Sequence, residues 1–571
     1  MFKGTSASAG IGIGKAVIVE ETELKINKEV ITDADAEKAR FKQALDQAMA
    51  ETDALAKDLA TRVGEKEAEI LNGHLLLLSD PMLIGEIENT ISGEKINSEF
   101  AVETVCNTYA DMFASMGDEL MQQRATDMRD IKTRMQKILL GVSSVDIGSL
   151  PEGSVLIARD LTPSMTAGIN PKNVTGIVTE LGGKTSHSAI LARALEIPAV
   201  VAVDGFLGQI ADGADVILDG AEGIVYVDPA QEVKEEYAKK RTAFLKEKKE
   251  LEQYIGKPTV TKDGVTIELV ANIGKPEDVD KVLQYDGEGV GLFRTEFLFM
   301  DRTSMPTEEE QFEAYRKVAS ALNGKPVIIR TLDIGGDKEI PYMGLEKDEN
   351  PFLGYRAIRF CLDRKEDVYK PQIRALLRAS AFGNIRIMVP MVTCLEEYRE
   401  AKAFVEEIKK ELDEQSIAYK KDIEVGIMVE TAAASLMADV FAKEVDFFSI
   451  GTNDLTQYTM SVDRGNDKVS YLYSPLNPAV LRSIRHVIEC GRKEGIMVGM
   501  CGEAASDPMM IPLLLAFGLN EFSMSASAIL NARKLITEYS TKELKEVADK
   551  AMSFATVKEV EEFMKEFVSR S

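Results

Sequence analysis

This sequence of 571 residues contains no tryptophan, only three histidines and only five cysteines. An odd number of cysteines without close metal-type spacing argues against a disulfide framework and is typical of reduced thiols. No stretch approaches the ~20 consecutive apolar residues that a membrane helix needs, and the segment after Met1 lacks the apolar core of a signal peptide. We therefore expect a cytoplasmic protein without a membrane segment.

Basic charge is also scarce, because 68 Lys and Arg residues face 94 Asp and Glu residues, which leaves a formal net charge of −26. A nucleic-acid-binding protein needs a basic surface to meet phosphates, so nucleic acid is excluded as a main partner. The acidity is compatible with a basic protein partner. Solubility alone explains it equally well.

The first 228 residues have β patterns on both sides of a long helical pattern, which predicts an α/β domain interrupted by helices. Residues 5–20 form a small β pattern, and helical spacing then runs through 33–143 with Pro81 as the one interruption. Short apolar runs separated by Gly and Asp turns return afterwards. We therefore predict an α/β domain from residues 1–32 plus 144–228, with an all-helical module at 33–143 inserted into it.

A Lys- and Glu-rich segment follows at 229–256. Such a run usually forms a solvated helix supported by i,i+4 ion pairs. Because it stands between two domains, we predict a linker helix that acts as a stiff arm or a hinge.

Residues 257–571 alternate apolar runs with amphipathic helical stretches, which predicts a (β/α)₈ TIM barrel. A doubly wound sheet is the alternative, but the Gly-rich nucleotide turn of that fold is missing. The eight candidate strands are Val265–Ile273, Val290–Phe293, Val327–Arg330, Ile385–Pro390, Glu424–Glu430, Phe447–Ile450, Met497–Cys501 and Glu521–Met524, of which the last is the weakest.

One histidine, His187, follows a Gly-Gly turn at the predicted start of a helix. Thr185 or Ser186 can cap this helix. The unpaired N–H groups at a helix N-terminus favour negative charge, so the imidazole is well placed to carry a phosphoryl group. The alternative is a capping turn with an incidental histidine.

Charged and polar residues follow the predicted barrel strands, where active sites of such barrels lie. Arg294, Arg330 and Arg464 are planar donors for carboxylate and phosphate oxygens. Glu430 and Asp454 are hard oxygen ligands for Mg²⁺, and Asn453 can donate a hydrogen bond. Cys501 could protonate a carbon centre. Any single one of these residues could belong to a structural salt bridge, but the set predicts a site for a small, multiply anionic substrate and a metal.

With these residues, the whole chain resembles the Enzyme I family of the bacterial phosphoenolpyruvate–sugar phosphotransferase systems. The resemblance lies in five segments: GGKTSHSAILARALEIPAVV at 182–201, GLFRTEFLFMDRTSMPTEEEQFEAY at 291–315, GIMVETAAA at 426–434, FFSIGTNDLTQY at 447–458 and VGMCGEAASDP at 498–508.

The resemblance implies that phosphoenolpyruvate phosphorylates His187, which then phosphorylates the small carrier protein HPr. Glu430 and Asp454 would hold Mg²⁺, Cys501 would protonate the enolpyruvate, and Thr166 would hydrogen-bond the histidine. The helical module would dock HPr, and the barrel would form a homodimer. The residues that would hold phosphoenolpyruvate are Arg294, Arg330, Asn453, Asp454 and Arg464.

Two rival functions remain open from the sequence. A pyruvate phosphate dikinase or phosphoenolpyruvate synthase shares the phosphohistidine segment and the barrel, but it also needs an ATP-binding domain, and no P-loop is found here. A non-catalytic docking protein on the same scaffold would be expected to lose a ligand or the nucleophile. His187, Glu430, Asp454 and Cys501 are all present.

Overall fold

The computed structural model describes residues 1–19, 24–62, 65–115, 119–142, 147–162, 164–165, 168–183, 186–300, 302, 304–335, 340–345, 348–466 and 468–570. The chain divides into two compact units, Met1–Lys248 and Lys249–Ser571.

The first unit is built on a mixed sheet in which β3 occupies an inner position. It pairs in parallel with β4 and antiparallel with β7. The described strands are ordered β1-β8-β7-β3-β4-β5-β6-β2. Their bounds are β1 Phe2–Lys3, β2 Thr5–Ser8, β3 Ile11–Val19, β4 Ser154–Ala158, β5 Val174–Thr179, β6 Ala199–Val201, β7 Asp215–Asp219 and β8 Ile224–Val227.

A helical module is inserted between β3 and β4, as the sequence predicts. Its helices bury one apolar face each around a core that contains Phe41, Ile87 and Val102, all at most 1% exposed. Asp80 caps the third helix by accepting from Met82 N, and Pro81 stands at its first position. The helices are α1 Ala34–Arg62, α2 Glu65–Leu78, α3 Pro81–Glu94, α4 Ser98–Ser115 and α5 Glu119–Leu140.

The structure describes two longer α-helices between this module and the barrel. α6, His187–Ala194, lies between β5 and β6. α7, Gln231–Glu252, is the predicted charged helix, and the boundary between the two units falls within it. An i,i+4 ion pair between Lys240 and Glu236 supports it on the exposed side.

The second unit is a closed barrel of parallel strands, which confirms the TIM barrel and excludes the doubly wound sheet. β16, from the weakest sequence signal, pairs with β15 and β9 and closes the ring. The strands are β9 Glu268–Ile273, β10 Val290–Arg294, β11 Pro326–Arg330, β12 Asn384–Val389, β13 Val425–Val429, β14 Phe447–Ile450, β15 Met497–Met500 and β16 Glu521–Met524.

The first strand begins three residues later than predicted, at Glu268 instead of Val265. The preceding residues form a tight turn in which Thr261 N donates to Val265 O at 2.9 Å. Gly264, with φ of +85°, supplies the left-handed conformation that this turn requires.

The barrel helices pack around the ring of strands. Apolar residues from the helices and the strands together form the large core between them. A smaller apolar cluster, which includes Leu292, Met388, Phe447 and Cys501, fills the interior. Across the described residues, no helix is long and apolar enough to cross a membrane. The helices are α8 Val279–Gln284, α9 Glu308–Ala321, α10 Ile358–Asp363, α11 Lys370–Ala379, α12 Leu395–Glu414, α13 Ala432–Leu436, α14 Ala438–Phe441, α15 Thr452–Met460, α16 Pro478–Glu494, α17 Met510–Phe517, α18 Ile529–Thr537, α19 Thr541–Met552 and α20 Val557–Arg570.

Candidate active site

Four of the predicted site residues are buried at the carboxyl ends of barrel strands. Arg330 ends β11, Glu430 follows β13, and Cys501 follows β15. Asp454 lies in the first turn of α15, directly after β14. Because all eight strands run parallel, these four side chains belong to one rim of the barrel.

Arg330 is fixed by two carboxylates. Its Nη2 donates to Oε1 of Glu296 at 2.7 Å, and its Nη1 lies 3.0 Å from Oδ2 of Asp333. Burial alone would lower the pKa of Arg330, but the neighbouring carboxylates raise it above its ordinary value. The guanidinium therefore stays charged and oriented at the rim.

A second buried arginine, Arg356, shares Asp333 with Arg330. Nη2 of Arg356 donates to Oδ1 of Asp333 at 2.8 Å, and Nη1 donates to the Tyr458 hydroxyl at 3.2 Å. The backbone approaches closely here, because a Cβ on Gly335 would lie 2.5 Å from Cβ of Arg356. Arg356 is not among the residues predicted from the sequence, because it sits in a long loop rather than at a strand end.

Glu430 and Asp454 form an electrostatically coupled pair of buried carboxyls. Oε1 of Glu430 accepts from Met391 N at 2.6 Å. Burial and the proximity of Asp454 raise the pKa of Glu430. Gly451 leaves space between the strands, since a Cβ there would lie 3.0 Å from Oε2 of Glu430.

The donor set of this pair fits a hard divalent cation. Oδ1 of Asp454 is buried and accepts no hydrogen bond within the described part of the chain. No group of three or more His, Cys, Asp or Glu residues suited to a metal occurs among the described residues. Two carboxylates are nonetheless what Mg²⁺ typically takes from a protein, with water and substrate phosphate completing its shell.

Cys501 is a thiol held in the apolar barrel interior. It is 6% exposed, and its Sγ lies 3.8 Å from the Ile450 carbonyl oxygen. Burial raises the pKa of Cys501 to about 12, and Glu430 adds to the rise. The group therefore carries its proton at neutral pH, as a general acid must.

The other three predicted barrel residues are more open. Arg294 is half-buried and lies over the ring of Phe297 at 5.1 Å. Asn453 is half-buried at the start of α15. Arg464 is exposed in the loop after α15. It interacts with Tyr473, whose hydroxyl donates to Asn453 O at 3.3 Å.

His187 is the first residue of α6, in the other unit. Ser186, one of the two predicted caps, is the N-cap, and its side chain accepts from Ala189 N at 3.3 Å. The alternative cap, Thr185, and the predicted partner Thr166 lie outside the described residues.

Comparison with known families matches three consecutive parts of the chain. Residues 3–124 match the family described as PEP-utilising enzyme, N-terminal. Residues 150–223 match the PEP-utilising enzyme, mobile domain. Residues 248–541 match the PEP-utilising enzyme, PEP-binding domain.

Curated relatives match the chain from end to end. A phosphoenolpyruvate-protein phosphotransferase of Bacillus subtilis (strain 168) is 50% identical over 565 residues, covering 99% of both chains. Proteins of the same name from Priestia megaterium and Staphylococcus carnosus (strain TM300) are 49% and 48% identical, covering 99% and 100% of this chain and 98% and 99% of their own.

The barrel with its charged rim and the three matched domains define a PEP-utilising enzyme. About half of all positions are identical to those of the Bacillus subtilis protein over the full length, which narrows the class to one family. The chain belongs to the phosphoenolpyruvate-protein phosphotransferase family.

Proposed function

We propose that this enzyme transfers the phosphoryl group of phosphoenolpyruvate to its own His187 and then to a histidine of the carrier protein HPr. Pyruvate is the released product, and the reaction is the first step of sugar uptake by the phosphotransferase system. The observation that carries the proposal is the buried group of Arg330, Glu430, Asp454 and Cys501 at one barrel rim.

The substrate carries a phosphate and a carboxylate, so its site must offer fixed positive charge. Arg330 is held by Glu296 and Asp333, which orients its planar guanidinium before substrate arrives. Arg294, Asn453 and Arg464 would complete the substrate contacts from the more open side of the rim. Arg356 belongs to the same charge network through Asp333.

Glu430 and Asp454 would hold the cofactor Mg²⁺. When bound, the ion supplies charge neutralisation for the transferring phosphoryl group. Asp454 brings a buried oxygen without a hydrogen-bond donor among the described residues, and Glu430 is oriented by the Met391 N–H. Asp454 would also contact the substrate phosphate.

Cys501 would protonate the enolpyruvate that remains after phosphoryl transfer. The P–O bond breaks as an N–P bond forms on His187, so the oxygen that bridged carbon and phosphorus leaves as the enolate. The S–H bond of Cys501 then breaks as a C–H bond forms on the terminal carbon. Trapping the enolate as the ketone draws the transfer forward. The buried, protonated thiol suits this step.

His187 must receive the phosphoryl group from one partner and deliver it to another. It cannot contact phosphoenolpyruvate and HPr at the same time, so the unit that carries it must move between the two. Helix α7 contains the boundary between the two units and is the proposed hinge. A cross-link between the His187 unit and the barrel rim should spare phosphorylation of His187 and block transfer to HPr.

The helical module at 33–143 is the proposed HPr-docking surface. Leu76 on α2 and Met82 on α3 are 72% and 69% exposed, which is unusual for large apolar side chains. A Leu76→Glu substitution should slow transfer to HPr at least tenfold and leave phosphorylation of His187 unchanged. Equal loss of both half-reactions would contradict this assignment.

The barrel is the proposed homodimerisation domain. Leu436 and Tyr471 are exposed on it by 75% and 80%. A Leu436→Lys substitution should shift sedimentation toward the monomer, whereas Leu76→Glu should not. The cytoplasm is the proposed location, and the free state of all five cysteines is compatible with it.

The decisive experiment is phosphorylation with ³²P-labelled phosphoenolpyruvate and Mg²⁺, followed by mass spectrometry of the peptide that contains His187. A His187→Asn variant should take up no label, and a variant of the exposed His486 should label normally. Labelled ATP should give no product. Labelling from ATP would favour the dikinase class, and no labelling from either donor would favour a docking protein.

A further inference from the structure

Below Cys501 the barrel interior holds polar groups that phosphoryl transfer leaves unused. Ser449 on β14 is paired in register with Gly499 on β15, and Gly499 is paired with Glu521 on β16. Cys501 lies two residues beyond Gly499, so both point to the same face of the barrel. Cys501, Ser449, Gly499 and Glu521 therefore form one row on the inner surface, here called the proton column.

Gly499 creates the space in this column. A Cβ at that position would lie 2.6 Å from Oε1 of Glu521, so the carboxyl group occupies the volume that any other residue would need. Glu521 and Ser449 are both 0% exposed. Neither oxygen of the carboxyl group, nor the Ser449 hydroxyl, has a hydrogen-bond partner in the part of the chain that the structure describes.

Buried polar atoms without partners are uncommon in native proteins and call for an explanation. The charged surroundings offer one for Glu521. Among the described residues, three groups face it: Glu268 on β9, Arg386 on β12, which is paired with Glu424, and Cys501, which directly follows β15.

Burial first, and then the charge of Glu268, raise the pKa of Glu521 to about 8, although Arg386 acts in the opposite direction. At neutral pH the carboxyl group therefore mostly keeps its proton, and it can act as a donor.

We propose that Glu521 stores the proton that restores the Cys501 thiol after each turnover, with the Ser449 hydroxyl as the relay. The inference rests on the proposed role of Cys501 as the acid that protonates enolpyruvate. It assigns a function to two buried residues that are not among the proposed ligands of the substrate or the metal.

The proton balance closes with no other reactant than water. Cys501 loses its proton to carbon and becomes a thiolate. The thiolate takes the Ser449 hydroxyl proton while Ser449 takes the Glu521 proton, so the negative charge moves to the Glu521 carboxylate. Solvent then reprotonates Glu521 by way of Glu268, which is exposed at the amino-terminal end of β9. One solvent proton is consumed for each pyruvate formed.

A Ser449 donor also agrees with the electrostatics at the thiol. Interaction with Ser449 lowers the pKa of Cys501 against the larger effect of burial. A hydroxyl that stabilises the thiolate is a suitable proton donor to it, and the Ser449 hydroxyl, unpartnered among the described residues, is free to turn toward the sulfur.

The test compares the first turnover with repeated turnover in full-length protein, with HPr and Mg²⁺ present. In a Glu521→Gln variant the Cys501 thiol is protonated before the first turnover, so the first burst of pyruvate should match the wild type within twofold. Steady-state pyruvate formation should fall at least tenfold, because the amide cannot supply protons. Glu521→Asp should restore most of the loss, and Ser449→Ala should reproduce the Gln variant.

The pH profile separates this role from a structural one. Wild-type steady-state turnover should decline above about pH 8 as Glu521 loses its proton, and this decline should be missing in Glu521→Gln. The control is Glu288→Gln, since Oε2 of Glu288 accepts from Leu269 N at 2.6 Å outside the column.

Equal loss of burst and steady state in Glu521→Gln and Ser449→Ala would show a structural role and overturn the inference, as would unchanged steady-state turnover in both. If Glu521→Gln does not fold, Ser449→Ala decides. Failure of wild-type His187 to label from phosphoenolpyruvate would instead overturn the proposed function, and this inference with it.

Discussion

The guanidinium of Arg330 donates to the Glu296 carboxylate at 2.7 Å, although both side chains are almost wholly buried, at 5% and 1% exposure. Burying two charges costs free energy that their attraction only partly offsets, so such a pair is weak evidence for stability. The pair fixes the orientation of the arginine at the barrel rim, where we propose that the substrate binds.

Arg330→Lys should therefore reduce kcat/KM for phosphoenolpyruvate by about 100-fold or more, since a lysine keeps the charge but loses the planar, two-sided donor. The measurement is the initial rate of His187 phosphorylation. Arg316→Lys is the control, because Arg316 forms an ion pair with Glu313 on the surface of α9. An Arg330→Lys enzyme with wild-type kcat/KM would remove Arg330 from the substrate site.

Cys501→Ala should keep the fold and lower pyruvate formation by about 10²–10⁴-fold, the range expected when a general acid is removed. Cys490→Ala on α16 is the matched thiol deletion and should be close to wild type. Pyruvate release is followed by a coupled dehydrogenase assay. Equal loss in both variants would point to packing instead of proton donation.

Removal of the divalent metal by a chelator should abolish His187 phosphorylation, and Mg²⁺ should restore it. In Glu430→Gln the Mg²⁺ concentration for half-maximal rate should rise at least tenfold, because one anionic ligand is lost. Glu503→Gln, which alters a carboxylate of the same rim but not of the proposed ligand pair, is the comparison. Unchanged Mg²⁺ dependence in Glu430→Gln would exclude it as a ligand.

Glu521 should make the free energy of unfolding fall as pH rises. Its pKa is raised from 4.5 to about 8 in the folded state, so the folded protein binds more protons than the unfolded chain between these values. Its contribution is complete below about pH 4.5 and is lost as pH approaches about 8. Denaturant unfolding of the barrel should show a smaller decline from pH 5 to pH 8 in Glu521→Gln than in the wild type.

Ser186→Ala should destabilise the first unit by about 1 kcal/mol, the usual cost of deleting an N-cap that accepts a hydrogen bond. Ser540→Ala is the contrast, since Ser540 precedes α19 without a side-chain cap bond. Calorimetry that resolves the unfolding of the two units measures both effects. A larger effect from Ser540→Ala would contradict the capping assignment.

Much of the architecture could be predicted because it depends on local patterns. Alternating apolar runs and helical stretches predicted the barrel strands to within about three residues. The segment before His187 predicted a cap at Thr185 or Ser186, and Ser186 is the N-cap in the structure. Strand ends also identified Arg330, Glu430 and Cys501, because parallel strands bring their carboxyl ends to one rim. The roles of all these site residues remain predictions.

Other features depend on contacts between distant parts of the chain. Arg356 lies in a loop with no periodic signal, and only the folded chain brings it to Asp333. Glu521 was predicted as a strand residue, but its burial follows from Gly499 on the neighbouring strand. Arg464, which stands ten residues beyond Asp454 in the sequence, is exposed in the loop after α15, and its exposure could not be read from the strand pattern.

The inner position of β3 has a consequence for biosynthesis. Its two neighbours, β4 and β7, are translated after the whole helical insertion. The amino-terminal strands therefore stay unpaired while the insertion is synthesised, whereas the helices, whose contacts are local, can form first. Slowing translation between α5 and β7 should therefore expose this segment to chaperones and proteases more than a pause within the barrel does.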